Sequence, residues 1–378
     1  MNSLAKRLWT LDTSWHYLNH GSFGACPREV LKAQDSCRAR MERQAIQFMD
    51  EELPGGLRKA ADALGKTIGA AGRDLVFVDN ATAGANAVLA SFPWKRGDRC
   101  LLGSHAYPAV RFAAERLAAR RGFKVVYARV PSRVRGPRDI VDVYAQALAP
   151  RTRLVVTDHI AAPSALVFPV KDIARLAKAA GARVLVDGAH APGQISLDVA
   201  ALGVDYYTGN LHKWLFAPKG SAFLWARRAV QDGLVPVITS NNAGQGYLKE
   251  FEWTGTKDPS PFLCAPAGLA FHRKLGGRAL MERNRALAWA GAVIVAGRTG
   301  LAIPAPREMY ASLVPLVLPK RLGSGPKAAA KVHKALQARR VEVPVFPIGS
   351  ELFLRLSAQA YNELADYAAL ARALKNIL

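Results

Sequence analysis

Between Arg183 and Trp225, three apolar runs each end in a polar turn, and this segment constrains the fold more than any other. The first run, Val184-Leu185-Val186, stops at Asp187 and a Gly-Ala-His turn. A short amphipathic piece leads to a second run over residues 205–208, which passes into Gly209-Asn210-Leu211-His212-Lys213-Trp214. Pro218-Lys219-Gly220 then turns the chain into the third run. Apolar strands that end on polar residues are how α/β sheets present chemistry at their carboxyl edges. Similar runs at residues 75–78, 99–102, 123–129 and 154–157 alternate with helical patterns. The alternation predicts an α/β fold with a mostly parallel sheet covered on both faces.

A lysine held at a fixed point and easily deprotonated can form a Schiff base with a carbonyl cofactor. A carboxylate at the end of a neighbouring strand can keep a pyridine nitrogen protonated, which makes the ring an electron sink. Asp187 and Lys213 suit these two roles and lie 26 positions apart (213 − 187). Taken singly, a strand-end Asp is an ordinary turn residue and a Lys an ordinary solvated charge. The joint pattern is the specific signal. Lys219 is the competing lysine, but it sits in a Pro-Lys-Gly turn that reads as a loop closure, so Lys213 is preferred.

The motifs Asp-Gly-Ala-His (187–190), Tyr-Tyr-Thr-Gly-Asn-Leu-His-Lys-Trp (206–214) and Pro-Lys-Gly (218–220) together resemble the class V aminotransferase family of enzymes dependent on pyridoxal 5'-phosphate (PLP). Within that family the chain looks closest to the isopenicillin N epimerase-like branch. The resemblance implies that Lys213 carries the cofactor as a lysine aldimine and that Asp187 pairs with the ring nitrogen. It places His190 near the ring hydroxyl, and Asn210 and His212 at the phosphate. It also implies PLP fold type I. A large domain over residues 17–255 would hold a mostly parallel seven-stranded sheet, and residues 256–378, with an N-terminal arm over 1–16, would form a smaller α+β domain.

Other segments extend the pattern. Tyr17-Leu18-Asn19-His20-Gly21-Ser22-Phe23-Gly24 is a Gly-punctuated turn before a helix starting near Arg28. In the family this segment borders the substrate pocket, so Asn19 and His20 are candidate substrate contacts. Helix is expected over residues 28–72, broken at Leu53-Pro54-Gly55-Gly56. Small residues after the 75–78 strand let backbone N–H groups approach an anion at a helix start. Beside the lysine motif, Ala81 and Thr82 become a phosphate cradle through their N–H groups, with the Thr82 hydroxyl added.

The 99–102 strand leads into Gly103-Ser104-His105-Ala106-Tyr107-Pro108, where His105 or Tyr107 could stack on a pyridine face. Tyr107 is favoured because Pro-Ala-Val begins the following helix. In the turn 158–165, family members carry an Asn near the cofactor hydroxyl, whereas this chain carries Ala, which shifts weight to His190. His159 reads as a structural histidine.

Trp253-Thr254-Gly255-Thr256-Lys257-Asp258-Pro259 resembles the segment that one subunit of the family lends to its partner's phosphate. That implies a homodimer with shared active sites and Thr256 as the donor. A long helix is expected over about residues 260–297. Near the end of the chain, Arg355 interrupts an apolar strand, and a bidentate carboxylate is the partner such a guanidinium fits best. In the family the matching Arg holds the substrate α-carboxylate.

Composition limits the alternatives. The net charge of +23 suggests nucleic acid, but the Arg and Lys residues are spread along helix-like segments without interleaved aromatics, so an arginine-rich solvated surface is the better reading. No apolar run approaches the about 20 residues that cross a bilayer. The opening Met-Asn-Ser-Leu-Ala-Lys-Arg lacks the apolar centre of a secretory signal, and a cytoplasmic protein is expected. Four scattered cysteines suggest neither a disulfide scaffold nor a metal site. The loop over 319–327 has no Cys, which argues against sulfur transfer through an enzyme thiol. An amino acid substrate worked on at Cα is therefore expected, with C–S β-lyase action on a cysteine conjugate or true transamination as alternatives. A non-enzymatic binding protein on the same fold would tend to lack Lys213, Asp187 or Arg355, and all three are present.

Overall fold

The structure is a computed structural model that describes residues 6–378; the first part of the expected N-terminal arm, residues 1–5, lies outside the described residues. Seven strands form the central sheet in the spatial order Leu75–Val78, Ala222–Ala226, Tyr206–Asn210, Arg183–Asp187, Thr152–Asp158, Arg99–Gly103, Lys124–Ala128. Ala222–Ala226 runs antiparallel to both its neighbours, and the other pairings are parallel.

Alternate side chains of these strands enter two different cores. Val76, Val78, Leu102, Val156 and Leu185 pack with the helices Ala81–Ser91 and Pro108–Arg121. Leu75, Phe77, Leu101, Val155, Val184 and Val186 pack on the opposite face with Leu53–Ile68, Pro137–Ala147 and Val170–Ala179. Helices on both faces explain why the strands are apolar throughout rather than alternating.

A second sheet of three antiparallel strands, ordered Val345–Ile348, Glu351–Ser357, Leu313–Val317, packs against Arg278–Thr299, Gly325–Gln337 and Leu364–Lys375. Its middle strand carries Arg355. The short strand His16–Tyr17 pairs with Val341–Glu342 and ties the N-terminal segment to this region. No helix among the described residues is long and apolar enough to cross a membrane.

Two local expectations are corrected. Helix does not break at Leu53-Pro54-Gly55-Gly56; a π-helical turn over Phe48–Glu52 runs directly into Leu53–Ile68. Pro54 follows that π-helical turn, at the second position of the helix. The expected single helix over 260–297 is three pieces, Ser260–Leu263, Ala265–Lys274 and Arg278–Thr299, with the second interruption at Gly276-Gly277.

Candidate active site

Three central strands end side by side on polar residues. Asp158 is the register partner of Asp187, and Asp187 that of Thr208, two residues before Asn210 closes its strand. Their carboxyl ends wall a cavity of about 450 Å³ that also includes Ser22, Phe23, Thr82, Tyr107, His190, His212 and Lys213. Parallel strand ends converge on one edge, which is why residues far apart in sequence meet there.

Lys213 follows the Tyr206–Asn210 strand and is buried. Burial first, and the Arg355 cation second, push its ammonium down to about 7, while Asp187 opposes them. Its Nζ lies 3.2 Å from His190 Nε2. Burial, then the Lys213 and Arg355 charges, hold His190 well below the ordinary imidazole range, so the ring is neutral. Its Nδ1 is buried without a protein partner. Lys219, the competing lysine, is exposed and outside the cavity wall.

Asp187 Oδ1 accepts the Ala189 N–H at 2.9 Å. Burial raises its pKa, and that hydrogen bond and Lys213 work in the other direction. Arg355 is buried and is not itself among the residues that wall the cavity, although its partner Ala162 is. One of its terminal nitrogens donates to the Ala162 carbonyl, its Nε has no partner, and its Cζ lies 4.8 Å from the Phe346 ring centre. Burial pushes the guanidinium down to about 9, which leaves it charged at neutral pH.

At the start of Ala81–Ser91 the geometry differs from the cradle read in the sequence. The Ala81 N–H is already donated to Asn210 Oδ1 at 2.9 Å, and Asn80 Oδ1 caps the helix through the Ala83 N–H. Asn210 therefore fixes the helix start with its oxygen and leaves its amide nitrogen for a ligand. Thr82, which also lines the cavity, supplies the remaining N–H and a hydroxyl. His212 is anchored through Nδ1 to the Ser221 carbonyl at 2.9 Å.

Of the two candidate stacking residues, Tyr107 lines the cavity at the head of Pro108–Arg121. His105 does not. It is buried, with Nδ1 3.0 Å from Ser164 Oγ, and burial pushes it down to about 4.

The expectation for Asn19 and His20 is corrected as well. Asn19 donates to Glu342 Oε1 at 2.8 Å and accepts from Ser22 Oγ, pointing toward the strand Val341–Glu342. His20 Nε2 donates to the Lys213 carbonyl at 2.9 Å, which leaves Nδ1 to accept from the Tyr361 hydroxyl at 2.8 Å. Both ring nitrogens are used, so His20 is a brace under the lysine. Ser22 and Phe23 of the same segment reach the cavity instead. Thr256 is exposed and absent from the wall, and its neighbour Lys257 pairs with Asp79 at the rim, 2.8 Å away.

Sequence reasoning missed Asp158. Its carboxyl is buried in the wall, and Oδ2 has no partner. The available signal was that two adjacent β-runs both end on Asp.

Comparison with known proteins identifies the family. The profile of the aminotransferase class-V family matches residues 20–288. Isopenicillin N epimerase of Amycolatopsis lactamdurans is 33% identical over 393 residues, covering 99% of this chain and 98% of the relative. A probable chloroplastic L-cysteine desulfhydrase of Arabidopsis thaliana is 30% identical over 397 residues, covering 97% of this chain and 84% of the relative. Among solved structures, a cystine C–S lyase in complex with its product cysteine persulfide superposes with a TM-score of 0.83. It shares 22% identity, covering 96% of this chain and 97% of that one, a likeness of fold.

Proposed function

The chain belongs to the aminotransferase class-V family, and from that premise we propose that it is a PLP-dependent enzyme acting at the Cα of an α-amino acid. One observation carries this reading: the buried Lys213 amine, held near neutrality, stands in one cavity with the Asp187 carboxylate.

The residues present fit the cofactor. His190 Nδ1 is a buried polar atom without a protein partner, and the helix start offers the Thr82 N–H, the Thr82 hydroxyl and the Asn210 amide for a phosphate, with His212 beside them. When bound, PLP supplies an aldehyde that captures amines and a protonated ring that draws electrons from Cα. Asp187 would pair with the ring nitrogen and keep it protonated, and Lys213 Nζ, the buried amine of the cavity, would hold the cofactor and serve as the base for a proton on its own face. Tyr107 in the wall would stack on the ring, and Arg355, behind Ala162 of the wall, would hold the substrate carboxylate. We place Thr256 at the partner subunit's phosphate, in a homodimer that a solution mass of twice the 40.8 kDa chain would reveal.

Inversion and elimination differ in what they need from the site. Epimerisation needs proton delivery on both faces of Cα; His20 has both nitrogens engaged, which leaves Tyr107, in the cavity wall, or a bound water for the second face. Loss of a leaving group from Cβ needs only the Lys213 face. All four cysteines are buried and none lines the cavity, so sulfur would leave with the product rather than on an enzyme thiol. The test is incubation of the holoenzyme with L-amino acids, cysteine and cysteine S-conjugates in deuterated water, with and without a keto acid. Pyruvate and ammonia without keto acid indicate elimination, and Cα deuteration with inversion indicates epimerisation. Turnover strictly dependent on a keto acid overturns both, and no turnover of any amino acid overturns the enzyme reading.

A further inference from the structure

Besides Asp187 and the rim residue Asp79, which pairs with Lys257, the cavity holds a buried carboxyl group that the chemistry above does not use. We propose that Asp158 stays a neutral acid beside Asp187, and so leaves Asp187 the sole ionised carboxyl at the buried strand ends of the cavity. The proposal rests on the reading of Asp187 as the partner of the cofactor ring.

The geometry comes from the sheet. Asp158 and Asp187 close adjacent parallel strands as register partners, so their side chains leave the same face. Neighbouring strands lie about 4.8 Å apart, which brings the two carboxyls together at the cavity wall. Two buried carboxyls at such a separation do not both ionise. Their surroundings decide which keeps the proton.

Asp187 accepts the Ala189 N–H and is drawn toward ionisation by Lys213. Asp158 has only its own backbone N–H on that side and no lysine. The titratable groups near it are Asp187 itself, the Tyr144 hydroxyl, which is bonded to Thr157 Oγ1, and the adjacent His159. His159 is pushed down to about 4 by burial and bonds to the Tyr207 hydroxyl at 2.9 Å, so it brings no positive charge. Burial first, and the Asp187 charge second, hold the Asp158 proton well above the ordinary carboxylate range.

Its Oδ2 is buried and unpartnered, which suits a hydroxyl waiting for an acceptor. From the strand end and the turn behind it, the cavity receives Asp158, Ile160 and Ala162, so Asp158 is the polar group that this stretch contributes.

The test uses the cofactor-free protein, so that its outcome is separate from whether PLP binds. Isotope-edited infrared spectra with labelled aspartate should show one protonated carboxyl at neutral pH. Asp158→Asn should lose that band and Asp187→Asn should keep it. The sign of the pH dependence gives a second reading. Wild type keeps the Asp158 proton when folded and loses it when unfolded, so its stability falls as pH rises above the ordinary carboxylate range. The melting temperature of Asp158→Asn should therefore gain on wild type as pH rises toward neutrality. No protonated carboxyl in wild type, or a band lost in Asp187→Asn and kept in Asp158→Asn, overturns the proposal. Should Asp158→Asn fail to fold, the Asp187→Asn spectrum alone locates the proton. Failure of the wild-type protein to bind PLP would instead overturn the proposed function and leave these spectra unchanged.

Discussion

His20 Nε2 lies 2.9 Å from the carbonyl oxygen of Lys213, across 193 residues of sequence. The bond ties the N-terminal turn to the main chain of the reactive lysine, and the Tyr361 hydroxyl closes it from the C-terminal side. Burial pushes the imidazole down to about 3, so the ring stays neutral and its tautomer is set by the carbonyl it serves. The lysine is thus held by its backbone as well as by its side chain.

Replacing His20 by Phe removes both bonds and leaves a buried carbonyl and a buried phenol without partners. Each orphaned group costs about 1–3 kcal/mol. His20→Phe is expected to lower unfolding free energy by about 2–4 kcal/mol, measured by chemical denaturation. A smaller loss is expected for Tyr361→Phe, which removes the phenol and leaves the bond to Lys213. Wild-type stability in His20→Phe would show that the brace carries no load.

Gly24 makes a second contact with the same backbone. Its φ is +70°, and an added Cβ would lie 2.1 Å from the His212 carbonyl oxygen and 2.9 Å from Lys213 Cα. Both the backbone conformation and the space require glycine. Gly24→Ala is expected to displace the His212–Lys213 segment, and cofactor affinity measured by absorbance titration should fall more than for Gly181→Ala, a positive-φ site with nothing within 4 Å.

These contacts mark how far the sequence was legible. The apolar runs and their polar ends specify the strands, and register follows, so Asp187 and Lys213, joined by their spacing, share one cavity with Asn210 and His190, which the family resemblance implied. Direction was harder. In the turn from Asn19 to Phe23 it is the hydrogen bonds to Glu342, Tyr361 and the Lys213 carbonyl that turn Asn19 and His20 away, and none of those partners is near in sequence. Ala81 is similar: its N–H is taken by a side chain 129 residues away. Asp158 was hidden for a related reason, because its meaning comes from the strand beside it.

Lys213 and Lys219 are separable by chemistry. Lys213 is buried in the cavity with an amine near neutrality, whereas Lys219 is exposed in its turn. Borohydride reduction of the holoprotein followed by peptide mapping should place the fixed cofactor on Lys213. Lys213→Ala should yield no fixed cofactor, and Lys219→Ala should yield the normal amount. The opposite pattern would transfer the role to Lys219.

Asp187→Asn keeps the shape of the site and the Ala189 contact but removes the charge. Breaking a buried ion pair at one end costs about 3–5 kcal/mol, so kcat is expected to fall by two to four orders of magnitude, by the rule of about 1.4 kcal/mol per tenfold. Cofactor should remain bound through Lys213 and the phosphate contacts, as read by absorbance after gel filtration. A near-normal kcat would show that proton retention on the ring does not depend on Asp187.

The last prediction follows from the electrostatics around Lys213. Only the neutral amine attacks a carbonyl, and burial, followed by the Arg355 cation, pushes Lys213 down to about 7. The rate at which the cofactor-free protein takes up PLP covalently should therefore rise through about pH 7 and level off, whereas a lysine in water, near 10.4, would keep gaining for about three units more. Folding stability has the matching sign: the unfolded lysine binds a proton that the folded one lacks between those values, so this group's contribution grows as pH rises through that window. Arg355→Met removes a repelling cation and should move the uptake midpoint to higher pH. Asp187→Asn removes an attracting anion and should move it to lower pH. Stopped-flow absorbance across a pH series measures all three midpoints. A wild-type midpoint near that of free lysine, or shifts of the opposite sign in the two variants, would rule out this account of how the site sets its amine.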